Sequence, residues 1–376
     1  MNTRMRRAAF AFAATGLAVS LAACGSAKES DDGKKDDSKA SSSSKSKGDA
    51  LKIGLLLPEN QTARYEKFDK PLITAKVKEL TSGKGEVIYQ NAKQDPTTQN
   101  QQVEAMITNK VDVLIIDAVD AKAIKSSVEK AHQAGIKVVA YDRLASGPID
   151  AYTSFDNQAV GKAQGEALLK ALGGDAKKGK IVMMNGAITD PNAADFKKGA
   201  HSVLDGKVNI GKEYDTKEWK AENANANMEA AISALGKKNV IGVYSANDGM
   251  AGGIITALKK AGIDPLPPVT GQDAELAGVQ RILTGEQYMS VYKSYPQEAD
   301  TVAQLAVAVG KGEDLSSIAP DKADNGTNDA VPTKIIPVIS LTKDNVKDTV
   351  IKEKYYTLDE ICAGKYASAC AKAGLK

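Results

Sequence analysis

The chain of 376 residues carries 50 basic and 47 acidic side chains, and its formal net charge of +3 is too small to give the field that holds nucleic acid. Its two histidines, His132 and His201, stand in no metal-ligand spacing, its three cysteines form no CxxC, and both histidines lie in helical-looking runs that suit structural roles better than a catalytic triad. No GxGxxG follows the first strand-like run and no GxxxxGK[ST] occurs, so the usual phosphate cradles are missing and no cofactor or metal is expected.

At the start, Arg4, Arg6 and Arg7 precede an apolar run from Ala8 to Ala22. That run is about fifteen residues, short for a membrane span, and reads as a secretory signal peptide over residues 1–23. The sequence Leu21-Ala22-Ala23-Cys24 resembles the bacterial lipoprotein lipobox. The resemblance implies cleavage before Cys24, a diacylglycerol on its sulfur, and an extracytoplasmic chain anchored to the cell membrane. The alternative is an ordinary signal peptide with an incidental cysteine. Residues 24–49 hold Ser41 to Ser44, Asp31-Asp32, Asp36-Asp37 and several lysines, with no large apolar residue. Such a stretch cannot offset its ordering entropy and is expected to be a disordered tether.

From Ala50 to Lys376 the chain is long for one core and predicts two domains. Residues 51–57 read as a buried strand, 64–82 as a helix, 86–92 as a strand and 97–110 as a helix. A strand over 111–117, a helix over 121–135 ending at Gly135, and a strand over 136–142 follow. The alternation restarts with a helix at 156–172, a strand at 180–186 and helices at 192–205 and 222–236. A strand at 240–247, a helix at 249–261 and a strand and turn at 269–275 complete it. This order predicts an α/β protein of two doubly wound parallel-sheet lobes. The pair Met183-Met184 reads as core. Near the end Cys362 and Cys370 lie eight apart, and in an oxidising exterior they form either a short-loop disulfide or two free thiols.

Ligands of open α/β sheets sit beyond the carboxyl ends of the strands. Those ends here carry Pro58 to Tyr65, Asp142-Arg143, Asp190 and Asn192, Asn247-Asp248, and Gln272-Asp273. A cleft crowded with Asp, Asn and Arg, without a phosphate loop, metal cluster or evident nucleophile, suits a neutral polyhydroxylated ligand. Each sugar hydroxyl both donates and accepts, and these side chains answer it from either side. An aromatic face completes such a site; the single tryptophan, Trp219, and Tyr65 are the candidates. The bland alternative for the Asp and Asn positions is helix capping and turns.

The segments AYDR (140–143), SFDN (154–157), NDGMAGG (247–253), GQDAE (271–275) and VYK (291–293) resemble the periplasmic sugar-binding proteins of ABC importers, most of all their D-xylose-binding branch. The resemblance runs from about Leu51 to Ile351. It implies the type I periplasmic-binding-protein fold, two lobes joined by a three-strand hinge, with crossings placed near 150, 291 and 325. The N-terminal lobe is then 50–150 plus 292–324, and the C-terminal lobe 151–291 plus 325–376. The ligand set it implies is Arg64, Tyr65, Asp142, Arg143, Asp190, Asn192, Trp219, Asn247, Asp273 and Lys293. Tyr65 stands where many members have tryptophan, and Pro191 replaces an asparagine. Asn60-Gln61-Thr62-Ala63 stands where xylose-binding relatives offer a basic residue. The expected function is capture of a monosaccharide, D-xylose first, by lobe closure and delivery to an ABC permease and its ATPase. The expected state is a monomer without nucleic acid. Glucose, galactose, arabinose or ribose is the alternative ligand, a sensor the alternative partner, and an extracellular sugar-processing enzyme the rival class.

Overall fold

The computed structural model describes residues 48–375; the leader, Cys24 and nearly all of the tether lie outside them. In chain order, β1 (Lys52–Leu57) leads through a π-turn at Tyr65–Asp69 into α1 (Lys70–Leu80). Then come β2 (Glu86–Asn91), α2 (Pro96–Thr108), β3 (Val113–Ile116), α3 (Lys125–Gln133), β4 (Lys137–Tyr141) and β5 (Ala151–Phe155). The middle of the chain gives α4 (Asn157–Leu172), β6 (Lys180–Asn185), α5 (Pro191–Leu204), β7 (Ile210–Asp215) and α6 (Ala221–Leu235). It continues with β8 (Val240–Ser245), α7 (Asp248–Lys260), α8 (Leu276–Thr284), β9 (Ser290–Lys293) and α9 (Tyr295–Lys311). Last are β10 (Asp321–Ala323), β11 (Val331–Ile336), β12 (Val338–Leu341) and two short helices, α10 (Leu358–Ile361) and α11 (Ala367–Lys372).

One lobe is built on a seven-stranded sheet in the order β10-β11-β5-β4-β3-β1-β2. All its pairs are parallel except β10 with β11. Helices cover both faces, as a parallel sheet requires. Ile53, Leu55, Ile115 and Val139 pack on one side against Ile73 and Val77 of α1 and Val302, Leu305 and Ala306 of α9. Leu56, Leu114, Ile116 and Val138 pack on the other against Val103 and Met106 of α2 and Val128 and Ala131 of α3.

The second lobe holds the parallel sheet β7-β6-β8. The expected strand at 269–275 is not a regular strand but a rung of backbone bonds. Val243 N–H donates to Pro268 O at 2.9 Å, and Val291 N–H to Gly271 O at 3.0 Å, so the rung links β8 to β9. β9 pairs antiparallel with β12. Met183 and Met184 lie in this lobe's core, as read. Helices α4 and α5 touch backbone to backbone. A Cβ on Gly161 would stand 1.8 Å from Phe196 O, and one on Gly199 2.1 Å from Gln158 O.

The chain passes between lobes at Asp156, Ser294 and Pro337; the second lies close to the crossing expected near 291, whereas the first and third replace those expected near 150 and 325. β5 and β11 belong to the first sheet, which moves the first and third lobe boundaries read from sequence. The Gly/Asn-rich run at 325–329 is a turn, not a crossing: Asn325 donates to Ala145 O at 3.0 Å and Gly147 O at 2.7 Å. Residues beyond β12 fold against the hinge. There Cys362 and Cys370 form the disulfide, with Cα atoms 5.8 Å apart.

Candidate functional site

The strand ends of both lobes face one another, and all ten expected ligand residues line one cavity between them. Thr62, Phe196 and Gln272 line it too. The lobes meet directly at the rim, where Ala121 N–H donates to Thr189 O at 3.4 Å and Gln94 Nε2 to Glu218 O at 3.3 Å.

Arg64 enters from the π-turn after β1. Its guanidinium gives Nε to Asp69 at 2.8 Å, Nη1 to Asp142 at 2.7 Å, and Nη2 to Glu298 at 2.7 Å and Tyr141 OH at 3.3 Å. Four of its five N–H donors thus have acceptors. The Tyr295 ring lies against its face, 4.3 Å from centroid to Cζ. Burial disfavours this cation, but Asp142, Asp69 and Glu298 more than compensate and hold its pKa well above the ordinary value. The positioning carboxylates are on the π-turn and on α9, and sequence reading found neither Asp69 nor Glu298.

Asp142 follows β4 with φ of 56°, a left-handed backbone that Asp tolerates better than most residues. Burial raises its pKa, yet Arg64, Lys293 and Arg143 outweigh burial and leave it below the usual carboxylate value. Its Oδ1 accepts from Asn192 Nδ2 of the other lobe at 3.0 Å. Arg143 makes the parallel crossing. Its Nε lies 2.9 Å from Asp190 Oδ2, without hydrogen-bond alignment, and its Nη1 donates to Ala118 O at 3.1 Å. Beneath it Asp117 is fully buried, with neither oxygen hydrogen-bonded. Burial pushes the Asp117 pKa well up despite Arg143 nearby.

On the second lobe the helix starts supply the polar groups. Asp190 caps α5, accepting from Asn192 N–H at 2.9 Å, while Oδ2 faces Arg143. Asn247 caps α7, accepting from Met250 N–H at 2.9 Å. Capping and cavity lining are therefore combined in the same side chains. Lys293 pairs with Asp273 at 2.8 Å, and Tyr295 OH donates to Asp273 Oδ1 at 3.1 Å. Trp219 stands edge-to-face on Phe196, with centroids 6.3 Å apart and planes at 70°. Its ring lies on bare backbone at Gly186, where a Cβ would stand 2.0 Å from it.

Three polar atoms on cavity-lining side chains are buried without an aligned hydrogen bond: Arg143 Nε, which is ion-paired to Asp190, Trp219 Nε1 and Gln272 Oε1. Two are donors and one an acceptor, the requirement that a hydroxyl meets. No group of three or more metal-type side chains occurs among the described residues. His201 pairs on the surface with Asp205 and Glu213, and His132 is exposed; neither is at the cavity.

Two α/β lobes, three crossings and a polar cavity between strand ends define a type I periplasmic binding protein, a binder rather than an enzyme. Residues 53–314 match the periplasmic binding protein domain family, and the chain belongs to that family. It is 36% identical over 317 residues to the D-xylose-binding periplasmic protein of Haemophilus influenzae, covering 83% of this chain and 92% of that one. The D-xylose-binding periplasmic protein of Escherichia coli stands at the same identity and coverage. Among solved structures, an ABC transporter solute-binding protein of Clostridium phytofermentans with bound β-D-glucose superposes with a TM-score of 0.76. The two chains are 29% identical, with 82% of this chain and 99% of that one covered.

Proposed function

We propose that this protein is an extracytoplasmic receptor that captures one aldose, D-xylose first, between its lobes and presents the closed form to the permease of an ABC importer. The permease's ATPase would drive release; no part of the mechanism asks this chain to hydrolyse ATP. The observation that carries the reading is the cavity itself. Carboxylates, amides and guanidinium groups from both lobes converge there with Trp219, Phe196 and Tyr65, and donors and an acceptor without an aligned hydrogen bond remain. Hydroxyls inserted between Asp142 and Asn192, and between Arg143 and Asp190, would bind both lobes at once and favour closure. Anchoring by lipid on Cys24 belongs to the same proposal and rests on the lipobox alone.

A second reading keeps the mechanism and changes the sugar. The glucose-bound relative of the same fold supports a hexose, or several aldoses, as ligand. Calorimetric titration of the purified chain with D-xylose, then glucose, galactose, ribose and arabinose, separates the readings. One-to-one binding of xylose alone is the expected result. Binding of several aldoses makes it a broader monosaccharide receptor, and binding of none overturns the sugar assignment.

A further inference from the structure

The segment after β12 ties the lobes together on the hinge side, beside the three crossings. Gln280 on α8 of the second lobe donates to Glu360 O and Ile361 O, both at 3.2 Å. Lys67 beside α1 of the first lobe pairs with Glu360 at 3.1 Å. The disulfide Cys362–Cys370 closes the end of this segment, and Cys370 is buried in the same apolar cluster as Ile361, Tyr355 and Tyr356.

At the centre of that cluster is Tyr355. Its phenol accepts from Tyr295 N–H at 2.7 Å and donates to Lys293 O. Those two peptide groups flank Ser294, where the chain passes from β9 to α9. The Tyr355 ring stacks on Phe68, with centroids 4.8 Å apart and planes at 27°, and on Tyr295, at 5.2 Å and 23°. From there the contacts run straight to the cavity. Tyr295 faces Arg64 and bonds Asp273, and Lys293 bonds Asp273 in turn.

We propose that Tyr355 is a positioning residue for the ligand site: its hydroxyl sets the Lys293–Tyr295 crossing in the closed arrangement, and through it the placement of Lys293, Asp273 and Arg64. Tyr355 reaches none of the cavity itself. Because these bonds hold the two peptide groups of a crossing about which the lobes would turn, removing them is proposed to raise the free energy of this arrangement relative to one turned at Ser294, so ligand affinity falls. This inference rests on the sugar-binding reading for its affinity arm only.

The test compares wild type, Tyr355→Phe and Ile361→Val in the full chain. Tyr355→Phe keeps the ring stack and loses the hydroxyl; Ile361→Val loosens the same cluster away from the crossing. Two quantities are read: the sugar Kd by calorimetry and the lobe separation by small-angle scattering with and without sugar. Expected is a Kd about tenfold weaker for Tyr355→Phe, with a changed radius of gyration, while Ile361→Val lowers the unfolding midpoint and leaves both unchanged. Wild-type Kd and radius in Tyr355→Phe, or equal weakening in Ile361→Val, would overturn the proposal. Should the wild type bind no sugar, the sugar reading fails, and the radius of the sugar-free variants alone decides this one.

Discussion

Asn192 shows how single side chains combine local and functional duties in this cleft. Its backbone N–H completes the Asp190 cap, whereas its Nδ2 reaches across to Asp142 at 3.0 Å. Truncating the side chain leaves the cap intact and removes a donor to a buried carboxylate. Hydrogen bonds to charged groups are worth about 1.5–3 kcal/mol. Asn192→Ala should therefore weaken sugar binding by about 10- to 100-fold with a small change in unfolding midpoint, as read by calorimetric titration beside a thermal melt. A large fall in midpoint with unchanged affinity would instead make Asn192 a structural residue. At this scale the sequence shows the cavity lining well, because strand-end Asp, Asn and Arg are conspicuous. It does not show the supports. Asp69 and Glu298 meet on Arg64 from positions 234 residues apart for the pair Arg64–Glu298, and no spacing rule reports such a meeting. Asp117 was within reach, as it ends an apolar strand run. Phe196 is one helical turn beyond Asn192 and had no signal of its own.

Helix α5 and its cap bring Asp190, Asn192 and Phe196 to the cavity, and the close glycine contact of α5 with α4 sets where they stand. A methyl on Gly161 meets the Phe196 carbonyl, which is backbone and cannot swing aside. Overpacking of this kind costs about 1–3 kcal/mol. Gly161→Ala should lower the urea midpoint accordingly and weaken sugar binding as well, since α5 must move; unchanged stability would show that the helices separate freely. The start of α7 makes a second, pH-dependent prediction. Asp248 is buried and accepts from Gln287 at 2.6 Å, Ser290 at 2.8 Å and Glu275 N–H at 2.9 Å, and burial, only partly countered by Arg281 and these bonds, pushes its pKa up to about 7. Its folded value exceeds its unfolded one, so its stabilising effect is complete below about pH 4 and is lost as pH rises to about 7. Wild type should lose up to about 4 kcal/mol relative to Asp248→Asn between those limits in urea unfolding; parallel stability–pH curves would refute it. Elements with an apolar period or run, from β1 to β4, are legible in sequence. β7 is not: IGKEYD is half-exposed and charged, so it carries no buried run. The third lobe crossing differs from the expected one because Gly- and Asn-rich runs mark turns as readily as hinges, and the run at 325–329 closes the β10–β11 turn.

Across the whole molecule charge is nearly balanced, yet it is not evenly spread. Around the cavity Asp69, Asp117, Asp142, Asp190, Asp273 and Glu298 stand against Arg64, Arg143 and Lys293, and all six acids are buried. The three cations are already engaged by carboxylates, so none is left to neutralise an anionic ligand. Burial is the largest cause that raises the pKa values of Asp69, Asp117, Asp190 and Glu298, and repulsion from the Asp142 carboxylate adds to it at each. A ligand carboxylate or phosphate closed into that cleft would face like charges out of water, a cost of several kcal/mol. The aldonic acid and the 5-phosphate of the preferred sugar should therefore bind at least about 100-fold more weakly than the sugar itself, measured by competition calorimetry near neutral pH. The neutral alditol of equal chain length is the matched control. It loses the ring but adds no charge, so if the acid and the alditol are rejected equally, ring shape rather than charge governs selection. Rejection of the acid that eases as pH falls toward its own pKa would locate the discrimination in charge, where the surplus of cleft carboxylates puts it.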